Sequence, residues 1–239
     1  LYGFQNAKKN FSTGDWLKLA NQKISQCKKI KKTPILVGGT GLYFKALTEG
    51  LVNIPKIPNN FRNKVRNLHK RIGQKKFFQK LLQIDPLIKD QINSLDTQRS
   101  IRAYEIKSFT KKSMISWFKN TRSDYSHNDF FKICIDFPRK DLIERINQRS
   151  KNMIKLGAIL EVKKFIKLRV PKNKSLSKAI GISEIKQYLQ KKIQTDQLIE
   201  KISIKTRQYA KRQSTWARGH MKDWNKVNPV GLNKLLKKI

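Results

Sequence analysis

Acidic side chains are scarce. The 239-residue chain has 16 Asp and Glu against 54 Lys and Arg, a formal net charge of +38. That excess argues against a basic or cationic partner and points to a polyanion, because cations that neutralise phosphates release counterions. Part of the lysine surplus accompanies a general richness in Lys, Asn and Ile of the kind A/T-rich coding produces. That bias does not account for the clustered arginines described below. Cysteine is nearly absent. Cys27 and Cys134 lie far apart without a CxxC pair, which excludes a zinc ribbon or disulfide framework and fits the reduced thiols of a cytoplasmic protein. The three histidines, His69, His127 and His220, are scattered and suggest no catalytic dyad. No apolar run approaches the ~20 residues of a membrane span. The first residue is Leu1, not Met, and no signal peptide is visible, so the sequence is expected to begin inside a longer protein.

What is present centres on residues 34–44, Pro-Ile-Leu-Val-Gly-Gly-Thr-Gly-Leu-Tyr-Phe. Ile35, Leu36 and Val37 after a proline read as a short buried strand. Gly38, Gly39, Thr40 and Gly41 make a turn, and apolar residues resume at helical spacing with Leu42, Tyr43, Ala46 and Leu47. Strand, glycine turn and helix together present backbone N–H groups and a helix N-terminus to a ligand. Gly38 and Gly39 allow close approach, and Thr40 can cap the helix or turn its hydroxyl toward a bound group. A plain tight turn explains the glycines equally well. The stretch is neither a Walker P-loop, lacking Gly-Lys-Ser/Thr, nor a dinucleotide fingerprint.

Before this turn, Asp15 can cap a helix to about residue 31, with Trp16, Leu19, Ala20, Ile24, Cys27 and Ile30 as its apolar stripe. After it, Pro55 and Pro58 break the chain, and helical patterns follow at about 59–84, 86–92 and 96–118. A helical block interrupting an α/β pattern suggests an inserted subdomain over 53–121, with the core at 1–52 and 122–239. Arg62, Lys64, Arg66, Lys70 and Arg71 give its first helix a basic face, which a solvated surface also explains. Asp96 is a plausible N-cap. Arg99 and Arg102 share a face, suited either to gripping a phosphate or to pairing with Glu105.

Residues 130–137, ended by Pro138, read as a core strand. The helix from Arg139 carries Arg145 and Arg149 at the edge of its apolar stripe of Leu142, Ile146 and Met153. A cation there needs an anionic partner, either a ligand or Glu144 or Glu161. A long helix spans about 195–216. Lys211 and Arg218 lie within about 40° of Arg207 around it, and Leu198, Ile202, Tyr209 and Trp216 fall opposite. One face therefore suits an RNA backbone, and Trp216 reads as core.

Five blocks in this order resemble the tRNA dimethylallyltransferases, also called tRNA isopentenyltransferases. They are Val37-Gly-Gly-Thr-Gly-Leu-Tyr-Phe; Asp96-Thr-Gln-Arg-Ser-Ile-Arg-Ala; Arg145-Ile-Asn-Gln-Arg149 with Met153 and Gly157; Lys178-Ala-Ile-Gly-Ile-Ser-Glu184; and Thr206-Arg-Gln-Tyr-Ala-Lys-Arg-Gln-Ser-Thr-Trp-Ala-Arg218. The last is the most specific. Ile182 departs from the family's usual aromatic, and Ala217 from a larger residue.

The resemblance implies an α/β, P-loop-kinase-like three-layer core with a helical insertion that holds the anticodon arm, mostly helical overall. It implies transfer of a dimethylallyl group from dimethylallyl diphosphate to N6 of adenosine at tRNA position 37, in a cytoplasmic monomer that uses Mg²⁺ and a nucleotide-binding (ATP-type) loop. It implies Thr40 and Arg149 as catalytic, with Arg149 and Arg145 at the pyrophosphate. For tRNA contact it implies Thr40 and Arg62, then Gln98, Arg99, Ser100, Ile101 and Arg102. The remaining tRNA contacts are Lys178, Ala179, Ile180, Gly181, Ile182 and Ser183, followed by Lys211, Arg212, Gln213, Ser214, Thr215, Trp216, Ala217 and Arg218. The family's first strand, P-loop and general-base Asp are expected upstream of Leu1, which predicts a chain inactive alone. A non-catalytic, basic tRNA-binding remnant is the alternative, and a basic ribosome-associated protein explains the charge but not the five blocks.

Overall fold

The computed structural model describes residues 3–172 and 174–237. The chain divides into two compact units, Leu1–Lys45 with His127–Ile239, and Ala46–Ser126. The fold is α/β, mostly helical with a small parallel sheet.

The first unit opens with α1, Thr13–Lys29. The helix begins earlier than Asp15 because Ser12 is the N-cap. The Ser12 hydroxyl accepts from the Asp15 amide at 3.2 Å, and the Asp15 carboxylate accepts from the Ser12 amide at 2.9 Å. This reciprocal box leaves Asp15 at the third position of the helix. Ala20 and Ile24 are buried, whereas Ile30 is exposed, so the apolar stripe stops short of the helix end. The helix after the glycine turn is α2, Gly41–Thr48.

The second unit is built on α3 (Asn59–Ile84), α4 (Thr97–Thr110) and α5 (Met114–Phe118). Helix α3 is kinked at Gly73, whose φ of 74° and ψ of 168° are open essentially to glycine alone. Its core gathers Phe78, Leu81, Ile88, Ala103, Ile106 and Met114. Asp96 caps α4, accepting from the Arg99 amide at 2.9 Å. The helical pattern at 96–118 is two helices rather than one. Lys111 turns left-handed (φ 62°), and Ser113 then caps α5.

The first unit resumes at β1 (Ile133–Ile135), followed by α6 (Arg139–Lys155), α7 (Ala158–Lys167), α8 (Ile182–Leu189) and α9 (Thr195–His220). It closes with β2 (Asn225–Val227) and α10 (Pro229–Leu236). Strands β1 and β2 pair in parallel, with Cys134 opposite Lys226. The core packs Val162, Ile182 and Ile185 against Leu198 and Ile202, and α6 also packs on α9.

Two strand expectations are corrected. Residues 35–37 are not a strand of this sheet, which among the described residues contains only β1 and β2. Ile35 and Val37 are 83% and 78% exposed. Three apolar residues become a buried strand only beside paired neighbours, so no three-layer sheet forms among the described residues. The run at 130–137 keeps only three strand residues, and Phe131 and Ile135 are exposed. Strand β2 and helix α10 lie in the Lys-rich C-terminal tail.

Candidate active site and RNA interface

In the first unit, the glycine turn is fastened to α9. The Gln213 side-chain amide donates to the Gly39 carbonyl at 2.7 Å. One turn on, the Trp216 ring lies so close to Gly41 that a Cβ there would overlap it. Glycine is therefore required at 41 by the ring above it, more than by its dihedrals. Trp216 also stacks on His220, with centroids 4.4 Å apart and planes within 4°. From the other side, Tyr43 stacks on Trp16 of α1 at 4.7 Å. Thr40, between the two fastened glycines, is exposed.

Helix α9 has two regimes. Leu198, Ile202 and Ser203 are buried, and no residue after Ser203 is. Lys211, Arg212, Ser214, Thr215 and Arg218 are exposed, and Gln213, Trp216 and Ala217 half-buried. The core stripe thus ends before Tyr209, which is exposed with the Arg212 guanidinium 5.7 Å from its ring centroid. Arg207, expected on the free basic face, is half-buried and donates to the Asn147 side chain of α6 at 3.1 Å. Trp216 serves packing at the turn, being half-buried rather than fully core.

On α6, Arg145 and Arg149 are exposed. Neither pairs with Glu144 or Glu161. The Arg145 guanidinium sits 4.9 Å from the Phe137 ring centroid. Arg149 makes no ion pair among the described residues.

The 178–184 block has a mixed placement. Lys178, Ala179 and Ile180 lie at the surface, with Ser183. Gly181 and Ile182 are buried, and the Ile182 side chain belongs to the core cluster. The departure from an aromatic at 182 therefore alters packing. Glu184 closes the block. Burial would raise its pKa, but hydrogen bonds from Lys205, the Ser183 hydroxyl (2.6 Å) and the Gly181 amide (2.9 Å) hold it below the usual carboxylate range.

In the helical unit, Gln98 and Arg99 are exposed, Ile101 and Arg102 half-buried, and Ser100 fully buried. The Ser100 hydroxyl donates to the Asp96 carbonyl at 2.7 Å and accepts from Gln74 at 3.2 Å. Arg99 and Arg102 do not converge on each other. Arg99 pairs with Asp96 at 3.6 Å. Arg102 pairs at 3.3 Å with Glu105, which also takes Arg62 at 3.2 Å and Arg66 at 3.8 Å. Glu105 is 1% exposed, so this is a buried hub and not the surface ion pair that helical spacing suggests. The arrival of Arg62 and Arg66 from a helix 40 residues away carries no local sequence signal.

Magnesium requires several oxygen ligands, typically carboxylates and phosphates. Among the described residues no three His, Cys, Asp or Glu cluster to hold an ion. The described residues therefore offer no all-protein cage for Mg²⁺, an ion otherwise held by one or two carboxylates together with substrate phosphates. No helix of the described residues is long and apolar enough to cross a membrane.

Residues 1–220 match the family model described as IPP transferase. The chain is 56% identical, over its whole length and 76% of the relative's, to the tRNA dimethylallyltransferase of Pelagibacter ubique. It is 42% identical to that of Rickettsia massiliae, covering 93% of this chain but 62% of that one. Among solved structures, the tRNA isopentenylpyrophosphate transferase of Bacillus halodurans superposes with a TM-score of 0.59 at 28% identity, over 94% of this chain and 69% of that one. A eukaryotic dimethylallyltransferase acting on tRNA reaches a TM-score of 0.78 at 21% identity, over 95% and 58%, and at that identity supports the fold alone. The expectation of inactivity finds no support in an alignment that runs the full chain. Five motif blocks in order, the fastened glycine turn and these matches lead to one assignment: the chain belongs to the IPP transferase family of prenyltransferases.

Proposed function

We propose that this chain transfers a dimethylallyl group from dimethylallyl diphosphate to N6 of adenosine 37 in tRNA. The observation that carries the reading is the joint between the glycine turn and α9. The Gln213–Gly39 bond and the Trp216–Gly41 contact hold an exposed Thr40 hydroxyl beside a helix whose outer residues, Lys211, Arg212 and Arg218, are exposed cations. A hydroxyl on a rigid corner suits an extruded base, and the cations suit the flanking phosphates. In the reaction, N6 forms a bond to the allylic carbon while the carbon–oxygen bond to pyrophosphate breaks. The pyrophosphate leaves with the bonding electrons, and the proton lost from N6 passes to solvent water.

The developing charge on the leaving group calls for fixed cations. Arg149, an exposed guanidinium with no ion pair among the described residues, is the candidate, with Arg145 beside it. Arg99 and the Arg62–Arg66–Arg102 group would hold the anticodon arm. The test is mass spectrometry of nucleosides from tRNA incubated with the protein and dimethylallyl diphosphate. N6-dimethylallyladenosine is the expected product. Unmodified adenosine with intact tRNA binding would overturn the transferase reading in favour of an RNA-binding role.

A further inference from the structure

We propose that Glu105 is a positioning residue: a buried carboxylate that draws Arg62, Arg66 and Arg102 into one array whose outward edges take RNA phosphates. The inference rests on the tRNA reading above and adds a member, Arg66, and an organiser to it.

The geometry is unusual for a structural ion pair. Glu105 is 1% exposed. Its Oε2 accepts from Arg62 Nε at 3.2 Å and from Arg102 Nη1 at 3.3 Å. Its Oε1 is buried with no hydrogen bond, and Arg66 Nε stands 3.8 Å away, inside ion-pair range but short of a bond. One carboxylate needs one guanidinium. Here it gathers three, leaving two positive charges in excess at close quarters. That excess is repulsive unless an anion completes the set.

The side chains are placed to meet one. Arg62, Arg66 and Arg102 are 36%, 50% and 39% exposed, so each has one edge on the carboxylate and another at the surface. Arg62 and Arg66 face Glu105 through Nε, which leaves both of their terminal amino groups for a ligand. A guanidinium held at one edge presents the other as a planar fork, which matches phosphate oxygens. Helices α3 and α4 pack on each other in the same unit, so the array is built on rigid elements. Three guanidinium groups gathered on one carboxylate at the surface suit a polyanion that offers more than one phosphate, as a folded RNA backbone does.

The test turns on a sign. Glu105→Gln removes a negative charge from a strongly basic chain, and charge alone would make any polyanion bind tighter. Loss of the organiser does the opposite for a structured RNA. Binding of a tRNA anticodon stem-loop and of heparin is measured with wild type, Glu105→Gln and Arg66→Gln at about 0.15 M salt. The expected result for Glu105→Gln is stem-loop binding weaker by about ten-fold, with heparin binding equal or tighter. Circular dichroism of each variant establishes that it is folded, since an unfolded chain of this charge still binds heparin. Arg66→Gln alters an exposed side chain and keeps the question open should Glu105→Gln fail to fold. Stem-loop affinity is expected to fall by roughly three- to ten-fold. Stem-loop binding that is unchanged or tighter in the folded variants overturns the inference. If wild type forms the modified nucleoside while both variants bind normally, only this inference fails. If the variants lose stem-loop binding but no product forms, only the transferase reading fails.

Discussion

Gly41 shows how one residue decides the corner. Its helix-start position could be filled by many residues on backbone grounds, but the Trp216 ring occupies the space a Cβ would need. Gly41→Ala must push the ring or the turn aside, at about 1–3 kcal/mol of stability. Thermal unfolding of the variant measures it, and an unchanged melting temperature would mean the ring is not held there. Glu184 acts at the same scale through its proton. Its pKa is depressed in the folded chain, so the stability it contributes is present above its unfolded pKa, about 4.3. That stability is lost as pH falls toward the lower folded value. Urea unfolding across this range is expected to show falling stability. Glu184→Gln should flatten that dependence and cost about 2 kcal/mol near neutral pH, discounted because Lys205 is half exposed. A Gln variant with the same acid slope would remove Glu184 from the account.

At the scale of elements, the sequence was most readable where local chemistry suffices. The Asp96 cap of α4 and the Leu198–Ile202 stripe of α9 are local signals, and the structure has them, whereas the strand ends at Ile135 and Pro138 serves as the N-cap of α6. The misreadings are those that depend on a distant partner. Ile35 to Val37 has strand-forming residues but no neighbour in the two-stranded sheet, and β2, which supplies the neighbour for β1, is a polar tripeptide with a single Val. Arg207 has the spacing of a surface cation, yet Asn147, on another helix, takes it inward. In the site, the glycine turn and the basic end of α9 were legible as motifs, whereas the Gln213–Gly39 bond that joins them spans 174 positions. Because Arg207 is tied to α6, Lys211 and Arg212 are the exposed cations of α9 proposed to meet phosphate. Replacing both with Ala should weaken tRNA binding and lower the slope of log K against log salt by about 1 to 2. Binding titrations at several salt concentrations read this directly, and an unchanged slope would mean that neither cation meets a phosphate.

For the molecule as a whole, a formal charge of +38 makes RNA affinity unsurprising and therefore weak evidence of catalysis. What separates a prenyltransferase from a basic RNA clamp is a cation that matters to the leaving group more than to the RNA. Arg149 is the cation proposed for that role. The most direct measurement compares single-turnover dimethylallyl transfer with tRNA affinity in Arg149→Ala. A loss of turnover of about 10²–10³ with tRNA binding nearly intact is predicted. Equal losses in turnover and binding would contradict the role given to Arg149.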